Sequence, residues 1–295
     1  MRTTESGGTL KDRCDSTCPA SVSGRLPRSR ENPAVIRSAL FSLALAAPLA
    51  AQPALSAPVD ARVSYVLTVG GINVALVDVD FDDDGSRYEF DLSARVTGLG
   101  NVVASGTAKA SVSGASTASG LQADRFQLET RANGEVFNVD VGFAGRNVTS
   151  FQVTPPVLDN YDRVPLERSH LSGVADFLSS FVLKGNGLDK SLCQREFKIF
   201  TGVERFNIAM SYLADDEATS PRTGYQGPLV TCAVKYRPIS GHFESSEMTQ
   251  YMAETSRMIL WYAPLGTTGY YVPYRLIIGT SMGDLSMVLT NARAD

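Results

Sequence analysis

From Ala61 onward, apolar residues fall at every second position over short runs, and Gly, Asp, Asn or Pro interrupts each run. A two-residue period puts alternate side chains on opposite faces of an extended strand. It therefore commits the chain to antiparallel sheet with one face buried. Val63, Tyr65, Leu67 and Val69 alternate as far as Gly70-Gly71, and Val77, Val79 and Phe81 alternate with Asp78, Asp80 and Asp82. Asp84-Gly85 is a hairpin signal leading into Tyr88, Phe90 and Leu92. Phe126 and Leu128, Val139 and Val141, then Phe151 and Val153 carry the pattern to Pro155-Pro156. Residues 104–120 are almost all Ala, Ser, Thr and Gly, and the alternation over 109–113 predicts a weak strand flanked by loops. Further strands are predicted over 197–201, 206–212, 229–236, 258–262, 271–278 and 285–289.

One segment departs from this rhythm. Leu171, Val174, Ala175, Leu178, Phe181 and Val182 recur at helical spacing, with Ser169 as N-cap and Gly185 as stop. The spacing predicts an amphipathic helix over 171–182. The expected fold class is mainly β: a strongly curved antiparallel sheet or barrel of about a dozen short strands, with one substantial amphipathic helix that plugs or covers it.

The N-terminus has a different character. Residues 39–55 are uncharged, Arg37 precedes them, and small residues follow, as in a secretory signal with its cleavage zone. A membrane-spanning helix needs about 20 predominantly apolar residues, and Pro48 and Pro53 interrupt this one. Removal is expected after Ala51 or Ser56, leaving no transmembrane anchor in the mature chain. The expected organisation is a tail and signal peptide over 1–57, then a single β-rich periplasmic domain over 58–295. That domain has 20 basic against 27 acidic side chains, a net of −7, which suits neither nucleic acid nor an anionic membrane surface. Of four cysteines, Cys14 and Cys18 lie in the removed part. Cys193 and Cys232 are left to pair in an oxidising compartment, the alternative being two free thiols. A loop of that length would contribute roughly 4 kcal/mol in the chain-entropy model.

Short elements in a fixed order carry a family resemblance. They are Tyr65 with Gly70-Gly71; His170, Gly173-Val174, Asp176 and Ser179; then Cys193, Phe200, Gly202 and Arg205. Tyr225, Gly227, Cys232, Tyr236 and Gly241-His242 follow, and then Trp261, Pro264, Val272-Pro273 and Arg275. In these the chain resembles a family of exported bacterial proteins known as domain of unknown function 3108. The family often has Asp-Pro where this chain has Asp176-Phe177. The resemblance implies an envelope location and no particular chemistry.

Four other patterns bear on function. Gly279-Thr-Ser281-Met-Gly283 matches the nucleophile elbow of α/β-hydrolases, but a predicted strand follows it and no His does, so a hairpin turn is expected. Asp80, Asp82, Asp84-Gly85 and Asp91 echo a calcium loop, although strands flank them and Asp91 replaces the bidentate Glu. An acidic hairpin tip that keeps a sheet edge soluble is the competing explanation. His170 and His242 are the only histidines, and His170 is expected to satisfy local backbone. Trp261, Tyr262 and Tyr271 are expected either in the core or, with Leu178 and Phe181, bounding a cavity under the helix.

These features favour an exported, non-catalytic binding or carrier module for an apolar, lipid-like ligand, without a cofactor. The alternatives are a structural or assembly factor that contacts other envelope proteins, and a hydrolase or metal-dependent enzyme.

Overall fold

A computed structural model describes residues 57–97, 105–157, 161–255, 257–280 and 283–295. The expected signal and cleavage zone lie outside these, apart from Ala57. Fourteen strands form: β1 (Val59–Val69), β2 (Ile72–Asp83), β3 (Arg87–Val96), β4 (Gly106–Thr117), β5 (Gly120–Ala132), β6 (Glu135–Ala144) and β7 (Asn147–Thr154) come first. The second group is β8 (Leu183–Lys184), β9 (Glu196–Phe200), β10 (Arg205–Ala218), β11 (Gly227–Ser240), β12 (Met258–Pro264), β13 (Tyr270–Ile278) and β14 (Leu285–Ala294). The hydrogen-bonded order runs from β7 down to β1, then β14 down to β9, with β8 attached to β13, and every pairing is antiparallel. Two meanders are thus joined along the β1–β14 ladder.

Local sequence explains the turns and the curl. Gly70 and Gly71 take φ of 55° and 81° between β1 and β2, and Asn133 and Gly134 take 51° and 87° between β5 and β6. Such positive values suit a tight hairpin and are easiest for Gly and Asn. In β4 the small residues let neighbouring strands come close. A Cβ on Gly114 would stand 2.0 Å from the Gln122 carbonyl oxygen, at a register shift between β4 and β5. The weak strand expected at 109–113 is therefore the middle of a twelve-residue strand.

The sheet curls without closing on itself. Its edge strands β7 and β9 do not pair; residues 172–175 stand between them. Asn147 bridges Ser172 and Ile199 bridges Ala175. The Val174 N–H donates to the Arg146 carbonyl at 2.7 Å, and the Ala175 N–H donates to the Lys198 carbonyl at 2.8 Å. Phe151 and Phe200 meet edge to face across the same seam, with ring centroids 5.3 Å apart.

This corrects the helix expected over 171–182. The segment forms 3₁₀ turns at Arg168–Leu171 and Ser179–Phe181 with extended chain between them. Gly173 has φ of 69°, which no right-handed helix accommodates. The backbone of 173–175 finds its partners on the sheet edges instead. Beyond it, the buried Asp176 carboxylate accepts from the Ser179 N–H at 2.8 Å and from the Ser179 hydroxyl, and the Ser180 hydroxyl bonds the Asp176 carbonyl. Ser and Asp side chains that bond nearby backbone in this way compete with helix. The α-helix among the described residues is instead α1 (Glu247–Glu254), capped by Ser246, whose Oγ accepts from the Thr249 N–H at 3.2 Å.

Inward side chains form two apolar clusters. One gathers Val63, Phe81, Phe90, Val112, Phe126 and Val141 from the first meander with Val272 and Leu289 from the second. Burial of each large side chain is worth about 1.5–3 kcal/mol. The other gathers Ile199, Ile208, Val230, Leu260 and Tyr262 around the Cys193–Cys232 disulfide, whose Cα atoms are 5.3 Å apart.

Candidate ligand cavity

The two clusters do not fill the interior of the curl. Between them lies a cavity of about 400 Å³, within the range that holds small-molecule ligands. Val63, Val77 and Phe81 line it from the first hairpin, Phe206, Ile208 and Val234 from β10 and β11, and Met258, Leu260, Leu276 and Met287 from β12 to β14. Phe177, Leu178, Phe181, Val182, Glu204, Met252 and Leu265 supply the part of the wall that no strand provides. Phe181 meets Phe177 and Phe197 edge-on or tilted at 5.4 and 6.1 Å. Three methionines make this lining deformable, because an unbranched thioether adapts to irregular shapes.

Its polar content is small. The ionisable side chains in the lining are Tyr65, Tyr236 and Glu204. Burial alone pushes the Tyr65 hydroxyl above its ordinary range. Burial, and then the charge of Glu204, pushes Tyr236 up to about 12. Both phenols stay protonated at neutral pH and can donate a hydrogen bond.

Of the aromatic and apolar residues expected around such a cavity, Leu178 and Phe181 line it. Trp261, Tyr262 and Tyr271 do not. Trp261 is on the other face of β12, where its indole N–H donates to Asp216 at 2.8 Å and the Arg275 guanidinium sits 5.6 Å from its ring. Tyr262 is wholly buried beside the disulfide cluster, with its hydroxyl 3.9 Å from the Met210 sulfur. Tyr271 packs in the same cluster, registered with Leu183 of β8.

The chemical motifs resolve into local structure. Ser281 lies outside the described residues, but Ile278 and Leu285 face each other in register, so a β13–β14 hairpin brackets the motif. Asp80 pairs with Arg62 and faces Asp91 across the ladder, while Asp84 caps its own turn by accepting from the Ser86 and Arg87 N–H groups at 2.7 Å. Among the described residues no three His, Cys, Asp or Glu side chains converge as for a metal ion. His170 accepts from the Glu167 N–H through Nδ1 at 3.1 Å.

One polar constellation escaped the sequence reading. Asp83 is 2% exposed and accepts from the Ser116 hydroxyl at 2.6 Å, the Tyr270 hydroxyl and the Gly85 N–H at 2.8 Å. Lys184 lies 3.4 Å from the same carboxylate and donates to Ser116 at 2.6 Å. Burial works against the charge on Asp83, but these donors and the ammonium outweigh it and hold the carboxyl below its usual range. The network ties β2 and β4 to β8 and β13. Its signal was parity: Asp83 occupies the inward register of Val77, Val79 and Phe81. A carboxylate there needs buried partners.

The chain is similar to the crystal structure of a beta-barrel-like protein of domain of unknown function DUF1849 from Brucella abortus, at 10% identity and a TM-score of 0.45, over 79% of this chain and 97% of that one. No family model matches the chain, and no curated protein is significantly similar. Among the described residues no helix is long and apolar enough to cross a membrane.

Proposed function

We propose that this protein is a non-catalytic binding or carrier module for an apolar, lipid-like ligand. The observation that carries the reading is the cavity of about 400 Å³ between two packed clusters, walled by aliphatic, aromatic and methionine side chains. A space that size in a close-packed interior forfeits dispersion contacts unless an apolar guest restores them. The segment 177–182 is a lid over this space, held by the Asp176–Ser179 bonds rather than by helix. Work in the periplasm after export is part of the proposal, supported by the apolar run over 39–55 and by the disulfide.

The test is binding of N-phenyl-1-naphthylamine, an uncharged dye that fluoresces in apolar surroundings. The unmodified protein should give saturable fluorescence. Phe181→Asp places a charge in the lining and should weaken the dye at least about tenfold while the sheet stays folded. Absence of saturable binding to the unmodified protein would sink the carrier reading and favour a scaffold. For that role β10 offers a feature: Tyr212 and Leu213 are exposed where it runs beyond its pairing with β9.

A further inference from the structure

The few polar atoms in the cavity say which ligand it takes. Tyr65 is 6% exposed and lines the cavity, and its phenol is one of the few polar groups there. Tyr236 and Glu204 line the same cavity.

The charges are as informative. Among the described residues no Lys, Arg or His lines the cavity, and the one carboxylate that does, Glu204, is half-buried in the turn between β9 and β10. A fatty-acid anion or an anionic phospholipid head would find no cation in the lining and a like charge on Glu204. A neutral oxygen on a long apolar chain would find the Tyr65 hydroxyl as a donor.

We infer that the cavity selects an uncharged long-chain ligand bearing a hydroxyl or carbonyl oxygen, with Tyr65 donating to that oxygen and Glu204 turning away carboxylate-headed chains. The inference rests on the carrier reading above. It adds a ligand class and two specificity-determining residues.

The experiment displaces bound N-phenyl-1-naphthylamine with dodecan-1-ol or with dodecanoate at about pH 8, where the acid is fully ionised. Dodecanol is intrinsically the more apolar competitor, so the comparison that decides is between variants. Tyr65→Phe should weaken dodecanol about fivefold relative to the dye, the scale of one hydrogen bond. Glu204→Gln should strengthen dodecanoate about fivefold relative to dodecanol. Tyr65→Phe keeps the ring and removes only the hydroxyl, so a fall in its thermal midpoint would expose a structural role instead. Dye binding with no Tyr65→Phe effect on dodecanol, or with dodecanoate unmoved by Glu204→Gln, overturns the ligand class and leaves the carrier reading standing. No dye binding by the unmodified protein overturns both.

Discussion

Two buried aspartates carry opposite electrostatic loads, and pH separates them. Asp83 is surrounded by donors and the Lys184 ammonium, so its folded-state pKa lies below the ordinary 3.8. The stabilisation this provides is complete above that value and is lost as pH falls through the folded pKa. Asp176 has no cationic partner. Burial raises its pKa above 3.8, against the Ser179 hydroxyl and N–H. Its folded state therefore holds a proton that the unfolded state has released, and stability declines as pH rises above about 4. Urea midpoints from acid to neutral pH should show both effects. Asp83→Asn should flatten the loss on the acid side while lowering stability by about 3–5 kcal/mol near neutrality, because it strands Lys184. Asp176→Asn should gain on the unmodified protein as pH rises above about 4. Parallel curves for the unmodified protein and both variants would show that neither carboxyl titrates differently on folding.

At the scale of elements, hairpins were the legible part. Gly70-Gly71 and Asp84-Gly85 turn the chain where expected, and Val77, Val79 and Phe81 point inward while Asp78 and Asp80 bond Ser64 and Arg62 outside. The segment 171–182 misled because its apolar residues meet the same interior through short turns, a placement that spacing alone cannot distinguish from helix. What decided against helix was the long-range demand of two unpaired sheet edges for backbone partners. The short α1 was unread because eight residues carry too little periodicity. A single substitution distinguishes the two conformations. In a helix, Gly173→Ala would stabilise by about 1 kcal/mol. In the observed turn a Cβ meets nothing within 4 Å, yet φ of 69° strains any L side chain, so the same change should destabilise by about 1 kcal/mol. The sign of the shift in thermal midpoint settles it.

At the scale of the whole molecule, the described residues form one curled sheet whose first and last strands pair as the β1–β14 ladder, and the alternation of apolar residues made that class readable. The cavity was not readable, because it depends on which inward side chains fail to meet across the curl. Trp261 shows the limit: its aromatic character suits the core or a cavity wall alike, and it packs partly buried against the first cluster beside Arg275 without reaching the cavity. The disulfide sits in the second cluster, where it clamps the turn Lys190–Cys193 to β11. Cys193 and Cys232 are wholly buried, so a reductant reaches them only when this cluster opens. Their bond closes a stretch of 39 residues, and replacing both by Ala should lower the unfolding free energy by about 4 kcal/mol. The cavity lining contains neither cysteine, so the folded double variant should still bind the dye with an affinity within about threefold of the unmodified protein. If the double variant keeps full stability, the clamp is dispensable. If it stays folded but loses the dye, the disulfide cluster shapes the cavity directly, and the two halves of the interior are one cooperative unit.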